Sequence, residues 1–259
     1  MNISRKANLL QMFSEYHVWT HLAQRDLRVR YSRTRLGPWW SSIALGALIL
    51  GISIATALIA QDPIRGYLPR IAISLLVWTF VSNVLQESIE LFSLERSLLL
   101  NTRIHELSVV SRVVWRQILL SLYNLPVVLV CVFIGGSPPT PQLLFLPVAL
   151  FITSAGLILP SFLIAFITLL RRDFAQIIPS AVQLMFFVSP VMWETPSTGR
   201  LSTLAQLNPI AWTLEAIREL VLGEVLFSTT TIKWGMSVVG SLIAVFICVP
   251  MVRQIRVRI

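Results

Sequence analysis

The chain has 259 residues, of which 55% are hydrophobic and 13% charged, with a mean hydropathy of +0.75 and a formal net charge of +9. Soluble domains carry about 25% charged residues, so this balance excludes one. The basic residues punctuate apolar runs instead of gathering on one face, which argues against a nucleic-acid partner. Cys131 and Cys248 both lie inside apolar runs and are read as packing residues, with no disulfide framework or metal set.

Residues 1–30 have no compact apolar region with a small-residue cleavage site, so no signal peptide is expected. Instead Leu9, Met12, Phe13, Tyr16, Trp19, Leu22 and Leu27 recur at three- to five-residue steps between polar residues. That pattern predicts an amphipathic helix lying on a membrane surface. His17 and His21 have i, i+4 spacing, but no third ligand accompanies them and no metal site is read there.

The stretch RDLRVRYSRTRLGPWW (Arg25–Trp40) then places five arginines, Arg25, Arg28, Arg30, Arg33 and Arg35, ahead of an uncharged run from Trp40 to Ala60. That run is long enough to cross the roughly 30 Å hydrocarbon core as a helix. Arginines beside a first span hold that end in the cytoplasm. Further uncharged runs cover Ile71–Gln86, Gln117–Leu170, Phe174–Trp193 and Trp234–Val252. The longest must be two spans, because GGSPPTP (Gly135–Pro141) interrupts it with turn formers. Ile71–Gln86 is short, but Leu68 and a snorkelling Arg70 extend it, with Glu87 and Glu90 at the inner surface. Six spans with both termini cytoplasmic follow. Only Arg65, Arg70, Arg200, Arg218 and Lys233 then fall outside, as the positive-inside rule requires.

Between spans two and three, Glu95–Gln117 mixes apolar and charged residues. Asn101 or Thr102 is placed to cap a short helix with Glu106 in its first turn, where a carboxylate suits the helix dipole. Such an element could pass rigid-body motion from a soluble engine to the spans. His105 is read as a surface residue within it. After the fifth run, Asn208–Pro209 reads as N-cap and first helical position and Gly223 as the terminator, with Leu207, Ile210, Leu214, Ile217 and Val221 in one stripe. This predicts an outer amphipathic helix at the membrane surface or dipping into it, with Glu215 and Arg218 at i, i+3.

The apolar runs contain no Asp, Glu, His, Lys or Arg. Proton- or sodium-driven carriers keep ionisable groups at membrane depth, so such coupling is disfavoured. No GxxxxGK[ST] occurs, and neither of the two lysines, Lys6 and Lys233, follows a glycine. Any ATP-driven work therefore needs a separate ATPase subunit, and no catalytic residue is assigned. A membrane-embedded glycosyltransferase is disfavoured, since the candidate outer carboxylates Glu194, Glu215, Glu219 and Glu224 include no DxD-like pair. A passive channel lacks a pore-lining charge ring.

Four segments resemble the transmembrane subunit of type-2 ABC exporters, in the branch that exports polysaccharides such as O-antigen and teichoic acid. They are VRYSRTRLGPWW (Val29–Trp40), LYNLPVV (Leu122–Val128), RRDFAQIIPSAVQLMFFVSPVMW (Arg171–Trp193) and LNPIAWTLEAIRELVLGE (Leu207–Glu224). Departures are Tyr123, where a His usually precedes the Asn, and the absence of family prolines near Leu220 and in 95–110. The resemblance implies one all-α transmembrane domain over 1–259. Its parts would be a cytoplasmic interface helix (1–38), spans one to five (39–193), a periplasmic gate segment (194–231), and a sixth span with a short cytoplasmic tail (232–259).

It further implies a homodimer in the bacterial inner membrane above two copies of a nucleotide-binding ATPase, which would hold ATP and Mg, this chain itself needing no cofactor. The substrate would be a polyprenyl-pyrophosphate-linked glycan of the O-antigen kind; the alternative is teichoic acid or a small hydrophobic molecule. Asn101, Thr102, Arg103, Ile104, His105 and Glu106 would form the coupling helix, and Asn208, Pro209, Trp212, Glu215 and Arg218 the periplasmic gate. Guanidinium forks suit phosphate oxygens, making Arg28, Arg30, Arg33 and Arg35 candidates for receiving the lipid pyrophosphate. Sugars stack on aromatic faces, which selects Phe162, Phe166, Phe186, Phe187 and Trp193 as channel-lining candidates.

Overall fold

The computed structural model describes residues 15–96, 99, 105–136, 141–193, 200–222 and 228–256. Among these residues the chain is all helical, without a strand. The helices are α1 (Tyr16–Tyr31), α2 (Trp39–Ala60), α3 (Ile64–Glu87), α4 (Leu91–Leu94), α5 (Glu106–Ile134), α6 (Phe145–Leu170), α7 (Phe174–Val188), α8 (Arg200–Leu207), α9 (Pro209–Leu222) and α10 (Thr229–Arg256). A 3-10 turn, Pro141–Leu144, leads into α6.

Five helices are long and apolar enough to cross a membrane: α2, α3, α5, α6 with its leading turn, and α10 over Thr229–Val249. The protein is therefore a multi-pass membrane protein. Membrane spans satisfy their own backbone groups, and Pro69, Pro126, Pro160 and Pro179 are carried inside α3, α5, α6 and α7. The break at GGSPPTP separates α5 from α6 as expected, and α3 does extend upstream beyond Arg70 to Ile64.

The second span forms the axis of the bundle. Ile71 to Trp78 are buried in unbroken succession, so α3 is enclosed on every side, against α2, α5, α6 and α9. The first span is peripheral, with only Ser42, Leu45, Ile49 and Ser53 buried. Trp39, Trp40, Ile43, Leu50 and Ile54 of α2 face outward.

Three expectations need correction. The fifth apolar run is not helical throughout: α7 has 15 residues, about 22 Å at 1.5 Å per residue, and Ser189 turns to extended backbone. Ser189, Pro190 and Val191 are buried, which is the condition under which irregular backbone survives at membrane depth. The segment after the fifth run holds two helices where one was expected, α8 and α9, and α9 packs among α3, α6 and α10. Leu214, Ile217 and Val221 are buried as the stripe required, but so are Glu215 and Arg218, while Leu207 belongs to α8 and is exposed. Finally, Glu106 does not start a separate short helix; it opens α5, the third long span.

At the end of the bundle where α3 begins, Gly135 closes α5 against the Pro69 ring. An added Cβ would meet Pro69 Cδ at 2.6 Å and the Arg65 carbonyl oxygen at 3.1 Å, neither of which yields easily. Gly135→Ala is expected to lower stability by about 1–3 kcal/mol through overpacking, read as a lower Tm in detergent. Gly51→Ala, with nothing within 4 Å, serves as the control. Equal melting of the two variants would contradict this packing.

Candidate functional site

The inward face of α1 carries Trp19, Leu22, Ala23, Asp26 and Leu27, spaced i, i+3, i+4, i+7, i+8. Asp26 is the acidic residue in that apolar stripe. Arg112 and Arg116, one turn apart on α5, both reach it. Arg112 grips Asp26 with two bonds, Nε to Oδ2 and Nη2 to Oδ1, each 2.7 Å. Arg116 Nη1 donates to Asp26 Oδ2 at 2.9 Å.

From Arg116 the network continues to the end of α3, where Nη2 and Nε donate to Glu87 Oε2 at 2.7 and 3.2 Å. Arg30 Nη1 returns from α1 to Glu87 Oε1 at 2.7 Å, and Arg112 Nη1 reaches Glu95 at 3.2 Å. Three cations and three anions thus tie α1, α3, the segment after α4 and α5 together. Bidentate guanidinium–carboxylate geometry is the strongest form of such a contact. Asp26, Arg112 and Arg116 side chains keep only 14–18% exposure, so water screens them weakly.

The start of α5 is held to α1 as well. His105 is the N-cap, its Nδ1 accepting from the Leu107 N–H at 3.2 Å, and it is 3% exposed. The expectation of a surface histidine is corrected: the ring is spent on an otherwise orphaned helix N–H. Glu15 accepts from the Ser108 hydroxyl and the His105 N–H, placing a carboxylate at the positive helix end. Trp19 packs edge-on against Trp115 at 6.0 Å. Asn101, Thr102, Arg103 and Ile104 lie outside the described residues; His105 and Glu106 border them at this junction.

Of the four arginines expected to receive the lipid pyrophosphate, Arg30 is committed to Glu87. Arg28, Arg33 and Arg35 are exposed and make no ion pair among the described residues. Gly37 of the LGP motif has φ +58, the left-handed conformation that favours glycine, and it turns the chain into α2.

The far end centres on Asn208. As predicted it caps α9, its Oδ1 accepting from the Ile210 N–H at 3.0 Å, and Pro209 is the first helical residue. Its Nδ2 also donates to Ser189 Oγ at 2.8 Å, so one side chain joins α9 to the broken end of α7. Arg218 Nη1 donates to the Pro190 carbonyl at 3.5 Å, a second link to that break. Glu219 accepts from Ser228 and, at 2.6 Å, from Thr230, fastening α9 to the start of α10. Trp212 Nε1 donates to the Gln206 carbonyl at 2.9 Å, and Lys233 stands 5.9 Å over its ring. The expected terminator Gly223 lies outside the described residues.

The channel-lining candidates separate. Phe162 is 1% exposed and packs on Phe92 within the core. Phe166 packs against the same core. Phe186 stacks edge-on with Trp78 and with Phe187, each at 5.4 Å, and Phe187 is exposed. Trp193 Nε1 donates to the Phe187 carbonyl at 3.4 Å.

The model of a family described as "ABC-2 type transporter" matches residues 17–222. The chain belongs to that family. Its matched region begins in α1 and closes with the last residue of α9, so it takes in both the six-charge network and the Asn208 junction. The ABC-2 chain is also 24% identical over 192 residues to the O-antigen export system permease protein RfbA of Myxococcus xanthus, covering 73% of this chain and 74% of that relative.

The network residues Asp26, Arg112 and Arg116 were not singled out from sequence; the legible signal was an acid on the apolar stripe of α1. Asp26→Asn would leave two arginines short of their anion and is expected to cost about 2 kcal/mol, less than a fully buried pair because some water reaches it. Arg30→Gln, at a 54% exposed side chain, is expected to cost well under about 1 kcal/mol. Thermal unfolding in detergent reads both, and equal losses would sink the ranking.

Proposed function

We propose that this ABC-2 chain is the permease subunit of an ATP-driven exporter that carries a lipid-linked, O-antigen-like polysaccharide across the bacterial inner membrane. The observation that carries the reading is the likeness to an O-antigen export permease across three quarters of both chains. The uncharged apolar runs favour an external power source, because no coupling ion would find a ligand in them. ATP and Mg would be held by two copies of a separate ATPase, the permease acting as a homodimer. The broad outward-facing apolar surfaces of α2 and α7 suit contact with lipid or with the second copy.

In this reading α7 with its buried extended continuation is the fifth of six spans, both termini are cytoplasmic, and the network end of the bundle faces the ATPase. Asn101–Glu106 would be the coupling element, immediately ahead of α5. A push there meets α5 at its capped N-terminus, where Glu15, Asp26 and Glu87 bind it to α1 and α3. Arg28, Arg33 and Arg35, with Arg30 beside them, would attract the lipid pyrophosphate. Phe166, Phe186, Phe187 and Trp193 would contribute to the glycan path, with Phe162 behind them as packing. Asn208, Pro209, Trp212, Glu215 and Arg218 would gate the periplasmic side.

Proteoliposomes holding the permease and its cognate ATPase test this. ATP-dependent movement of a lipid-linked polysaccharide is expected. Transport of small hydrophobic molecules with no glycan movement would favour the alternative substrate. Arg103→Ala combined with Glu106→Ala is expected to weaken ATPase association by about tenfold, roughly 1.4 kcal/mol, in a pull-down titration. Unchanged association and hydrolysis would reject the coupling assignment.

A further inference from the structure

Beside the Arg30–Glu87 pair a cleft of about 500 Å³ opens between α2, α3 and α5. Its lining gathers neutral polar side chains from all three helices. Elsewhere in the bundle some hydroxyls are spent on carbonyls of their own helix, Thr56 on Ile52, Thr153 on Ala149 and Ser88 on Val84, while those of Ser53, Ser74 and Ser161 are buried with no partner among the described residues. Polar groups at membrane depth are costly unless satisfied, and this back-bonding is the usual remedy.

The cleft instead presents Asn83 and Gln86 from α3 and Ser121 from α5. None of these three side chains makes a hydrogen bond among the described residues, although Ser121 is only 4% exposed and Asn83 is half-buried. Asn124, on the same wall, accepts from Ser41 and keeps its amide N–H groups for other partners. The two charges at the mouth already neutralise each other at 2.7 Å. What the wall offers is therefore a set of neutral donors and acceptors. An acyl chain would leave them all unsatisfied, and an ion would find no net charge. A neutral polyhydroxylated ring supplies several donors and acceptors at once and fits a cleft of this size.

We propose that this cleft receives the sugar unit nearest the lipid end of the exported glycan, with Asn83, Gln86 and Ser121 hydrogen-bonding its hydroxyls. The proposal rests on the glycan-export reading and names where that substrate is recognised. It would let the permease distinguish a sugar-bearing lipid carrier from the bare carrier, since a wall built to hydrogen-bond hydroxyls rejects a ligand lacking them.

The test uses the permease–ATPase complex in nanodiscs. The probes are geranyl diphosphates each carrying one neutral hexose or N-acetylhexosamine, compared with geranyl diphosphate alone. Wild type is expected to bind at least one sugar-bearing probe about tenfold tighter than the bare diphosphate. Asn83→Leu with Gln86→Leu should remove that preference while leaving affinity for the bare diphosphate unchanged. The milder Ser121→Ala should reduce it in a complex whose melting temperature matches wild type. Preference retained in both variants, while wild type exports glycan, overturns the cleft and leaves the exporter reading standing. No preference in wild type overturns the cleft as well, and if that same complex moves no glycan in proteoliposomes, the exporter reading falls with it. A leucine variant altered in dimerisation but not in sugar preference would assign the cleft to the second copy and overturn the proposal.

Discussion

Two arginines near the start of a membrane-spanning helix set the constraint on which this structure depends. Arg112 and Arg116 sit about two and three turns into α5, close to apolar surroundings, where an unpaired guanidinium would be costly. The cost is met by Asp26 of α1 and Glu87 of α3, with Glu95 and Arg30 completing the network. Satisfying those charges fixes where α1 must lie. The hydrophobic contribution of α1 is small, since Ala23 and Leu27 are its only buried residues, so the ionic contacts supply its register and direction.

The same arrangement gives the bundle a continuous stiff element. Glu87 ends α3 inside the network, and the rest of α3 runs enclosed to Pro69, where it meets Gly135, and packs along α9 on the way. At the far end α9 is tied to the interrupted α7 by Asn208 and Arg218, and to α10 by Glu219. A displacement applied where α5 begins would thus have a packed, hydrogen-bonded route to the Asn208 junction. The break after α7 meets α9 through the Asn208–Ser189 and Arg218–Pro190 contacts.

Much of this was legible because hydrophobic runs and turn formers act locally. GGSPPTP divides α5 from α6, and Asn208–Pro209 announces α9, since caps and breakers work within one turn. The N-terminal stripe predicted α1, although its first part, with Leu9, Met12 and Phe13, falls outside the described residues. What sequence could not display were pairings over long separations: Asp26 with Arg112, 86 residues apart, and Asn208 with Ser189 across the break in α7. The burial of His105, Glu215 and Arg218 was hidden for the same reason, because polar residues read as exposed until their partners are placed. The fifth run looked like one continuous helix because composition reports apolarity and not where the helix stops.

Under the proposed export function, the Asp26–Arg112 contact would lock α1 to α5 so that motion driven by the ATPase reaches the glycan path. A charge swap tests it most directly, comparing Asp26→Arg, Arg112→Asp and the double variant in proteoliposomes with the ATPase, and measuring glycan exported per ATP hydrolysed. Each single swap is expected to uncouple hydrolysis from export, and the double swap to restore coupling in part. Normal coupling in both single variants, with the proteins correctly inserted, would contradict the account.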